Sequence, residues 1–266
     1  MRILLTNDDG IYAEGLLALY EVFSSDFDVQ IVAPVTEMSA VGHAITLASP
    51  LRVQHVTRNQ RFYGYAITGT PADCVKIAIK ELMKEPPDVV VSGINPGRNV
   101  GMDILYSGTV SAATEAAFLG FRAIAVSIDT RKDPDYGFAA KIARHIVDFV
   151  MEKGLREGTA LNVNVPALPP DQVKGVVFTR QGLSRFEERF EQRTDPRGNT
   201  YYWLAGETIV ENGSPDTDYI ALKSGMITIT PIHYDLTCEE ELRRLKQIEP
   251  LDIEDLVKRQ KACKRQ

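Results

Sequence analysis

Cysteine is scarce in this chain of 266 residues, and its three cysteines, Cys74, Cys238 and Cys263, lie far apart. They form no CxxC pair and no cluster with histidine, so neither a disulfide framework nor a zinc site is expected. Uninterrupted apolar runs of about 18 residues are also missing, which predicts that no helix spans a membrane. The N-terminus MRILLTNDDG meets an acidic pair early and lacks the apolar core of a secretory signal, so we expect a cytoplasmic protein.

An excess of positive charge is missing as well. Lys and Arg together number 30 against 36 for Asp and Glu, which gives a net charge of −6. Such a chain lacks the basic face with which nucleic-acid-binding proteins replace counterions, so we expect no nucleic-acid polymer as a partner. A small anionic substrate remains compatible with this charge if the site supplies local positive charge. The 44% of apolar and 25% of charged residues are those of an ordinary globular protein.

Short apolar runs alternate with helical patterns over the first 165 residues. Runs typical of strands buried on both faces of a parallel sheet lie at 3–5, 29–33, 65–68, 88–91, 123–128 and 161–165. Helical patterns lie between them at 15–23, 70–83, 108–119 and 138–152. The sequence therefore predicts an α/β fold: a doubly wound, Rossmann-like domain with a mostly parallel sheet.

The sequence pattern changes after residue 170. We expect three parts: a catalytic domain at 1–174, a protruding β arm with a returning strand at 175–235, and a C-terminal helical segment with a basic tail at 236–266. The consecutive Tyr201, Tyr202 and Trp203 favour a packed interface for the arm, because such rings rarely stay exposed in a row. A flexible insertion is the alternative. The tail KRQKACKRQ is expected to be solvated, with polyanion binding as the alternative.

An acidic pair directly follows the first predicted strand, in the segment TNDDG. A dinucleotide-binding protein would carry GxGxxG at this place, whereas this chain carries the carboxylates of Asp8 and Asp9. Gly10 can turn the chain so that both converge, and a hard divalent cation would neutralise them and attract a phosphate. The alternative is that one of the two aspartates merely caps the helix that follows.

Three further segments are expected at the same edge, because ligands of open α/β sheets bind beyond the carboxyl ends of the strands. In PVTEMSAVGH, Ser39 offers a neutral oxygen ligand, and His43 is either a proton carrier or a structural histidine. In SGINPGRNVGMD, Asn95 can donate a carbonyl oxygen to a metal and Asn99 can face an anion. Turn formation alone would also explain asparagine and glycine in that loop.

The last of these segments begins a helix with small residues. Backbone N–H groups and hydroxyls at Ser107, Gly108 and Thr109 can close on a phosphate, and the helix dipole favours the negative charge. A plain N-cap is the alternative for Ser107 and is compatible with anion binding.

Together the four segments place an acidic metal site, neutral oxygen ligands and an anion-binding helix start on one edge. This combination suits metal-assisted hydrolysis of a phosphate ester, in which the ion activates a water and polarises the phosphoryl group. The sequence has no GxSxG and no Walker A motif. Asp8 and Asp9 are adjacent and so do not form the DxD arrangement of an aspartyl-phosphate phosphatase, which argues against a covalent aspartyl intermediate. The group that takes the water's proton stays open between an oxygen of the aspartate pair and His43.

Several motifs resemble those of the SurE (stationary-phase survival protein) nucleotidase family. They are TNDDGI at 6–11, AP followed by Ser39 and Gly42-His43, GTPADCV at 69–75, SGIN-x-G-x-N-x-G at 92–101, YSGTV-x-AA-x-E at 106–115, DPRGNTYYWLAG at 195–206 and TPIHYDLT at 230–237. The resemblance covers about residues 1 to 240. Glu14 departs from it, since family members usually carry Pro there, and the chain after about 248 matches no motif of the family.

The resemblance implies a divalent-metal-dependent phosphomonoesterase that acts on nucleoside 5′-monophosphates and often on 3′-monophosphates. It implies one Mg²⁺ or Mn²⁺ per subunit held by Asp8, Asp9, Ser39 and Asn95, with the aspartates as the catalytic residues. Asn99, Ser107, Gly108 and Thr109 would hold the phosphate. It also implies a homodimer or homotetramer, since the family exchanges its β arm and C-terminal segment between subunits.

Two other functions remain as alternatives at this point. One is a sensor that binds a nucleotide and a metal without cleaving the nucleotide. The other is a metal-dependent glycosyltransferase whose acidic pair holds a nucleotide sugar. The sequence leaves open the base preference, the choice between 3′ and 5′ substrates, the physiological metal and any action on polyphosphate.

Overall fold

The computed structural model describes residues 1–209 and 214–248, and this part of the chain contains eleven strands and six α-helices. The strands are β1 (Arg2–Thr6), β2 (Asp28–Pro34), β3 (Val53–Arg58), β4 (Arg61–Ile67), β5 (Val89–Pro96), β6 (Arg122–Ile128), β7 (Thr159–Val165), β8 (Gly175–Phe178), β9 (Arg185–Thr194), β10 (Thr200–Ile209) and β11 (Met226–His233). The helices are α1 (Glu14–Phe23), α2 (Pro71–Ile77), α3 (Gly108–Phe118), α4 (Tyr136–Lys153), α5 (Asp218–Lys223) and α6 (Glu239–Leu245). Short 3₁₀ turns lie at Gly101–Leu105 and Pro170–Gln172.

Nine strands form one sheet in the order β3-β4-β2-β1-β5-β6-β7-β11-β8. Neighbouring strands from β4 through β7 are all parallel, while β3 and β11 run antiparallel to β4 and β7. The strand order departs in both directions from β1, toward β2 on one side and β5 on the other. This is the topology of a doubly wound Rossmann-like domain, as the sequence predicts.

Successive side chains of each central strand point to opposite faces of the sheet, so a continuous apolar strand makes both faces apolar. Helices cover both of these faces. Ile3 and Leu5 of β1 are fully buried in the cluster formed with α1 and α4. Leu4 is fully buried in the other cluster, formed with α2 and α3. Burial of each such side chain contributes about 1.5–3 kcal/mol, so the apolar runs that predict the strands also supply the core.

Three strands were not predicted from the sequence, and one predicted helix is shorter than expected. In β3 only Val56 is buried, so this strand shows little of the apolar pattern of a core strand. Strand β8 has only four residues, and β9 is mostly charged. Helix α2 ends at Ile77 and continues as a π-helical turn, Ala78–Leu82, closed by a 2.9 Å bond from the Met83 N–H to the Ala78 carbonyl.

Strands β9 and β10 form a separate two-stranded antiparallel hairpin outside the sheet. Trp203 faces Glu191 across it and Leu204 faces Phe190. The returning strand β11 and strand β8 lie in the main sheet instead. The division of the chain at residue 174 and the interface role of the arm stay predictions.

The chain divides into two compact units, Met1–Tyr234 and the part from Asp235 onward. In the second unit the structure describes helix α6, and the predicted C-terminal segment at 236–266 stays a prediction. The basic tail falls outside the described residues. In the part of the chain with described structure, no helix combines the length and apolar character needed to cross a bilayer.

Candidate active site

A crevice beyond the carboxyl ends of β1 and β5 is expected from the sheet topology, because the strand order reverses between these two strands. Four loops follow strands at this edge: 7–13 after β1, 35–52 after β2, 97–107 after β5 and 129–135 after β6. These loops carry the polar residues singled out in the sequence, except for Asn95, which lies near the end of β5, and for Gly108 and Thr109, which begin α3.

The acidic pair lies in a tight turn directly after β1. The Asn7 side chain closes this turn, since its Oδ1 accepts from the Gly10 N–H at 3.2 Å and its Nδ2 donates to the Gly10 carbonyl at 3.0 Å. Gly10 has a φ of 101°, which a residue with a Cβ rarely adopts. Helix α1 has Ala13 at its N-cap, so the alternative in which Asp8 or Asp9 caps this helix is wrong.

Asp8 lies against the start of α3. It is 4% exposed, and its Oδ1 accepts a short hydrogen bond from the Thr109 hydroxyl. A Cβ at Gly108 would lie 2.7 Å from the Asp8 Cβ and 2.9 Å from its Oδ2, so only glycine permits this approach. The Thr109 hydroxyl and the missing side chain of Gly108 therefore fix the position of the Asp8 carboxylate.

Asp9 is a carboxylate that the described residues do not satisfy. Its Oδ2 is buried and has no hydrogen-bond partner among them. Burial, the charge of Asp8 and the charge of Glu37 raise the pKa of Asp9 to about 7, against a lowering effect of Arg131. Burial also raises the pKa of Asp8, although its hydrogen bonds with Thr109 oppose this. Two anions in this position are costly unless a cation joins them.

Ser39 lies in the loop after β2, which is tied to the acidic turn. The Met38 N–H donates to the Asp8 carbonyl at 2.7 Å. The Ser39 hydroxyl donates to Glu37 Oε1 at 2.6 Å, which leaves the lone pairs of its oxygen available to a cation. The loop is also held at Gly42, whose N–H donates to the Tyr106 carbonyl at 3.0 Å.

Asn95 lies near the end of β5. Its Nδ2 donates to the Gly97 carbonyl at 2.5 Å, so its side chain is held beside the backbone of this turn. Gly97 has a φ of 124°, and a Cβ there would lie 3.3 Å from Arg131 Nε. The structure thus brings Asn95 and the side chain of Arg131 to the same turn.

Asn99 belongs to a buried polar cluster with β6 and β7. Its Nδ2 bonds Ser127 Oγ at 2.8 Å, its N–H donates to Asn164 Oδ1 at 2.8 Å, and its carbonyl accepts from Asn162 and Asn164 at 2.7 and 3.0 Å. A serine hydroxyl can donate or accept, so the Asn99 amide can present either its NH₂ or its oxygen to a ligand.

Ser107 is the N-cap of α3, since its Oγ accepts from the Val110 N–H at 3.1 Å. The plain N-cap role considered for this residue is therefore confirmed. A cap of this kind leaves other N–H groups of the first turn available to an anion. The Thr109 hydroxyl, in contrast, is committed to Asp8.

His43 is held by side chains of α3. Its Nε2 lies 2.7 Å from Glu115 Oε2, and Lys76 Nζ lies 2.5 Å from the other oxygen of the same carboxylate. Burial raises the pKa of Glu115, but the hydrogen bonds and charges of His43 and Lys76 outweigh it, so the net pKa is lowered. This arrangement favours the structural role for His43 over the role of proton carrier.

Sequence reasoning missed several residues of this region. Glu37 and Arg131 act on the charge of Asp9, and Glu115 with Lys76 anchors His43. Glu37 could have been found, because it is an acidic residue two positions before Ser39 in a loop already assigned to this edge. Arg131 and Lys76 give no comparable signal, since a lone basic residue in a loop or on a helix is most often solvated.

Comparisons with known proteins agree with the fold and identify the family. The profile of the family described as "Survival protein SurE" matches residues 3–188. A protein of Syntrophus aciditrophicus named 5′-nucleotidase SurE is 56% identical over 93% of this chain and 94% of its own length. The 5′-nucleotidase SurE of Syntrophobacter fumaroxidans is 53% identical over 92% of this chain and 98% of its own length. The SurE protein of Aquifex aeolicus, a solved structure, matches 94% of this chain and 100% of its own at a TM-score of 0.81 and 39% identity. The chain therefore belongs to the SurE family, as its motifs indicate.

Proposed function

We propose that the protein is a divalent-metal-dependent phosphomonoesterase that hydrolyses nucleoside 5′-monophosphates. The observation that carries this proposal is the acidic pair at the switch point of the sheet, in which Asp8 is buried and the buried Asp9 Oδ2 has no partner among the described residues. The names of the relatives, 5′-nucleotidase SurE, support the substrate class.

The residues present fit a hard divalent cation such as Mg²⁺ or Mn²⁺. Such ions prefer oxygen ligands, and Asp8, Asp9, Ser39 and Asn95 offer carboxylate, hydroxyl and amide oxygens. Within residues 1–209 and 214–248, no three His, Cys, Asp or Glu side chains group as a metal site. Neutral oxygens of Ser39 and Asn95 would therefore complete the coordination that the two carboxylates begin.

A cation bound there would lower the pKa of a water and polarise the phosphoryl group. Thr109 holds Asp8 in position through its short hydrogen bond. The Asn99 amide and the N–H groups at the start of α3 would bind phosphate oxygens, helped by the helix dipole. The polar cluster of Ser127, Asn162 and Asn164 fixes the position of Asn99.

The proton of the attacking water would pass to a carboxylate oxygen of the acidic pair. Asp9 suits this role through a carboxylate oxygen that the cation leaves free, because its Oδ2 has no hydrogen-bond partner among the described residues. His43 suits it less well, since its Nε2 is engaged by Glu115 and its Nδ1 lies 3.4 Å from the Thr114 hydroxyl.

Replacement of Asp8 by Asn tests the proposal. Phosphate release from a nucleoside monophosphate in Mn²⁺ should fall to background, because an amide neither neutralises the cation nor positions it in the same way, while the circular dichroism spectrum stays unchanged. Asp171→Asn is the matched control, since Asp171 is an exposed aspartate of the 3₁₀ turn Pro170–Gln172, which contributes no residue to the candidate site.

Near-normal turnover by a folded Asp8→Asn protein would refute the assignment. Binding of Mn²⁺ and nucleotide by the wild type without phosphate release would favour the non-catalytic sensor. Turnover of a nucleotide sugar without action on monophosphates would favour the glycosyltransferase. The same assay on a panel of 5′-monophosphates, 3′-monophosphates and short polyphosphate determines which substrates are hydrolysed. Addition of EDTA to the assay should abolish phosphate release if the reaction needs a metal.

A further inference from the structure

The candidate site has an excess of negative charge that a single divalent cation does not remove. The charge of Glu37 raises the pKa of Asp8 and of Asp9, and the charge of Asp8 raises that of Asp9 as well. The proposed substrate adds a phosphate dianion. Among the cations of this edge, Arg98 is already paired with Asp129 at 2.8 Å and lies over the Tyr219 ring. Another positive group near the acidic pair would therefore help the site accept its substrate.

Arg131 has the required position. It lies in the loop after β6, and its side chain covers the turn at Gly97: a Cβ at Gly97 would be 3.3 Å from Arg131 Nε and 3.7 Å from Asn95 Nδ2. Its charge is close enough to Asp9 to lower the pKa of that carboxyl. Arg131 is therefore beside two proposed metal ligands, Asp9 in the turn after β1 and Asn95 near the end of β5.

The guanidinium of Arg131 is also available to a ligand. It is exposed, and it makes no hydrogen bond and no ion pair with the residues that the structure describes. A guanidinium that served only to neutralise Asp9 would bond to its carboxylate, yet Asp9 Oδ2 is left without a partner. The side chain thus lies next to Gly97, while its donors remain uncommitted.

We propose that Arg131 binds the phosphate group of the substrate and so is a substrate-binding residue of this site. Arginine presents paired N–H donors that match two oxygens of a phosphate, and its charge is permanent. The side chain position over Gly97 places these donors beside the ligands of the cation. This inference rests on the proposed phosphatase function and adds to it the residue that compensates the charge of the phosphate.

The test compares Arg131→Gln with Lys132→Gln. Lys132 is the next residue of the same exposed loop, so its replacement removes the same charge without touching the Gly97 turn. We expect Arg131→Gln to weaken the binding of inorganic phosphate to the Mn²⁺-loaded protein about tenfold or more. Calorimetry and the inhibition constant of phosphate measure this affinity. The same substitution should raise KM more than it lowers kcat. Arg131→Lys should recover part of the affinity, and Lys132→Gln should resemble the wild type.

Affinity for Mn²⁺ separates a substrate-binding role from a structural one. Loss of a positive charge beside Asp9 should leave Mn²⁺ binding unchanged or make it tighter, whereas a collapse of the turn would weaken metal and phosphate binding together. Equal phosphate affinity in Arg131→Gln and wild type, or a joint loss of Mn²⁺ and phosphate, would overturn the inference. Calorimetry with inorganic phosphate decides this even if the wild type hydrolyses no nucleotide, so the two proposals fail separately.

Discussion

Glycine begins helix α3 because the Asp8 side chain occupies the space where a Cβ would lie. Alanine at Gly108 would place its Cβ 2.7 Å from the Asp8 Cβ and 2.9 Å from Oδ2, closer than real Cβ atoms come to other atoms. Either the aspartate or the first turn of the helix must then shift. A catalytic group depends on sub-ångström placement, so this contact ties the helix start to the acidic pair.

Replacement of Gly108 by Ala should therefore lower kcat/KM on nucleoside monophosphates about 100-fold, since a displacement near 1 Å costs that much in oriented catalysis. Gly137→Ala in the first turn of α4 is the matched control: its Cβ would lie 3.5 Å from Asp135 Oδ1, an ordinary contact. Steady-state kinetics of both variants measure the effect, with thermal unfolding to show that both are folded. Equal activity of the two would mean that the position of Asp8 is not critical.

Among the elements, helix α3 joins two other parts of the site through one buried carboxylate. Glu115 is 4% exposed and bonds both Lys76 of α2 and His43 of the loop that carries Ser39. Loss of this carboxylate would leave two side chains without their anionic partner. The part of the loop around His43 would then depend on the backbone bond from Gly42 to Tyr106 and on the bond from the Thr70 hydroxyl to the Ala44 carbonyl.

Glu115→Gln should lower the free energy of unfolding by about 1–3 kcal/mol at pH 7, the range for hydrogen bonds to charged groups. The pKa of Glu115 is lowered in the folded state from its ordinary 4.5, so the unfolded chain takes up the proton first as the pH falls. The stabilisation is therefore complete above about pH 4.5 and is lost as the pH falls through the folded-state pKa.

Urea unfolding at pH 7, 5 and 3.5 measures this difference between the wild type and Glu115→Gln. The difference in the free energy of unfolding between the wild type and Glu115→Gln should be nearly the same at pH 7 and pH 5 and smaller at pH 3.5. Glu81→Gln, an exposed glutamate on the π-helical turn, should stay within about 0.5 kcal/mol of the wild type throughout. A constant gap between wild type and Glu115→Gln down to pH 3.5 would show that the carboxylate is not stabilised by its partners.

The elements that the sequence predicts are those in which burial and local pattern agree. Strands such as 3–5 and 88–91 are apolar because helices cover both faces of the sheet. Their continuous apolar runs indicate a strand without an alternation of apolar and polar residues. Strand β9 is exposed and charged, so nothing in its composition indicates a strand until β10 pairs with it. The acidic pair follows from its place after β1, whereas Glu37, Glu115 and Arg131 join the site from separate elements and need the folded positions.

At the scale of the whole molecule, the β9–β10 hairpin carries large apolar side chains that a single chain leaves exposed. Phe190, Tyr202, Trp203 and Leu204 are each more than half exposed. Leu204 pairs with Phe190, and the adjacent Trp203 points to the opposite face of the ribbon, so both faces carry large apolar side chains. An isolated two-stranded hairpin is marginally stable in water, and exposed apolar patches mark contact surfaces. The hairpin is therefore the predicted contact between subunits.

We expect the protein to elute as a dimer or tetramer of its 29.5 kDa chain in size-exclusion chromatography with light scattering. The double variant Phe190→Lys/Trp203→Lys should shift to a lower mass, because it places a charge on each face of the ribbon. Lysine at 203 faces Glu191 and at 190 faces Leu204, so the replacement introduces no like-charge pair directly across the hairpin. Leu47→Lys/Leu183→Lys, at two leucines that are 86% and 74% exposed, is the matched control and should keep the mass of the wild type. A wild type that elutes at 29.5 kDa, or a double variant of unchanged mass, would show that subunits do not meet through this hairpin.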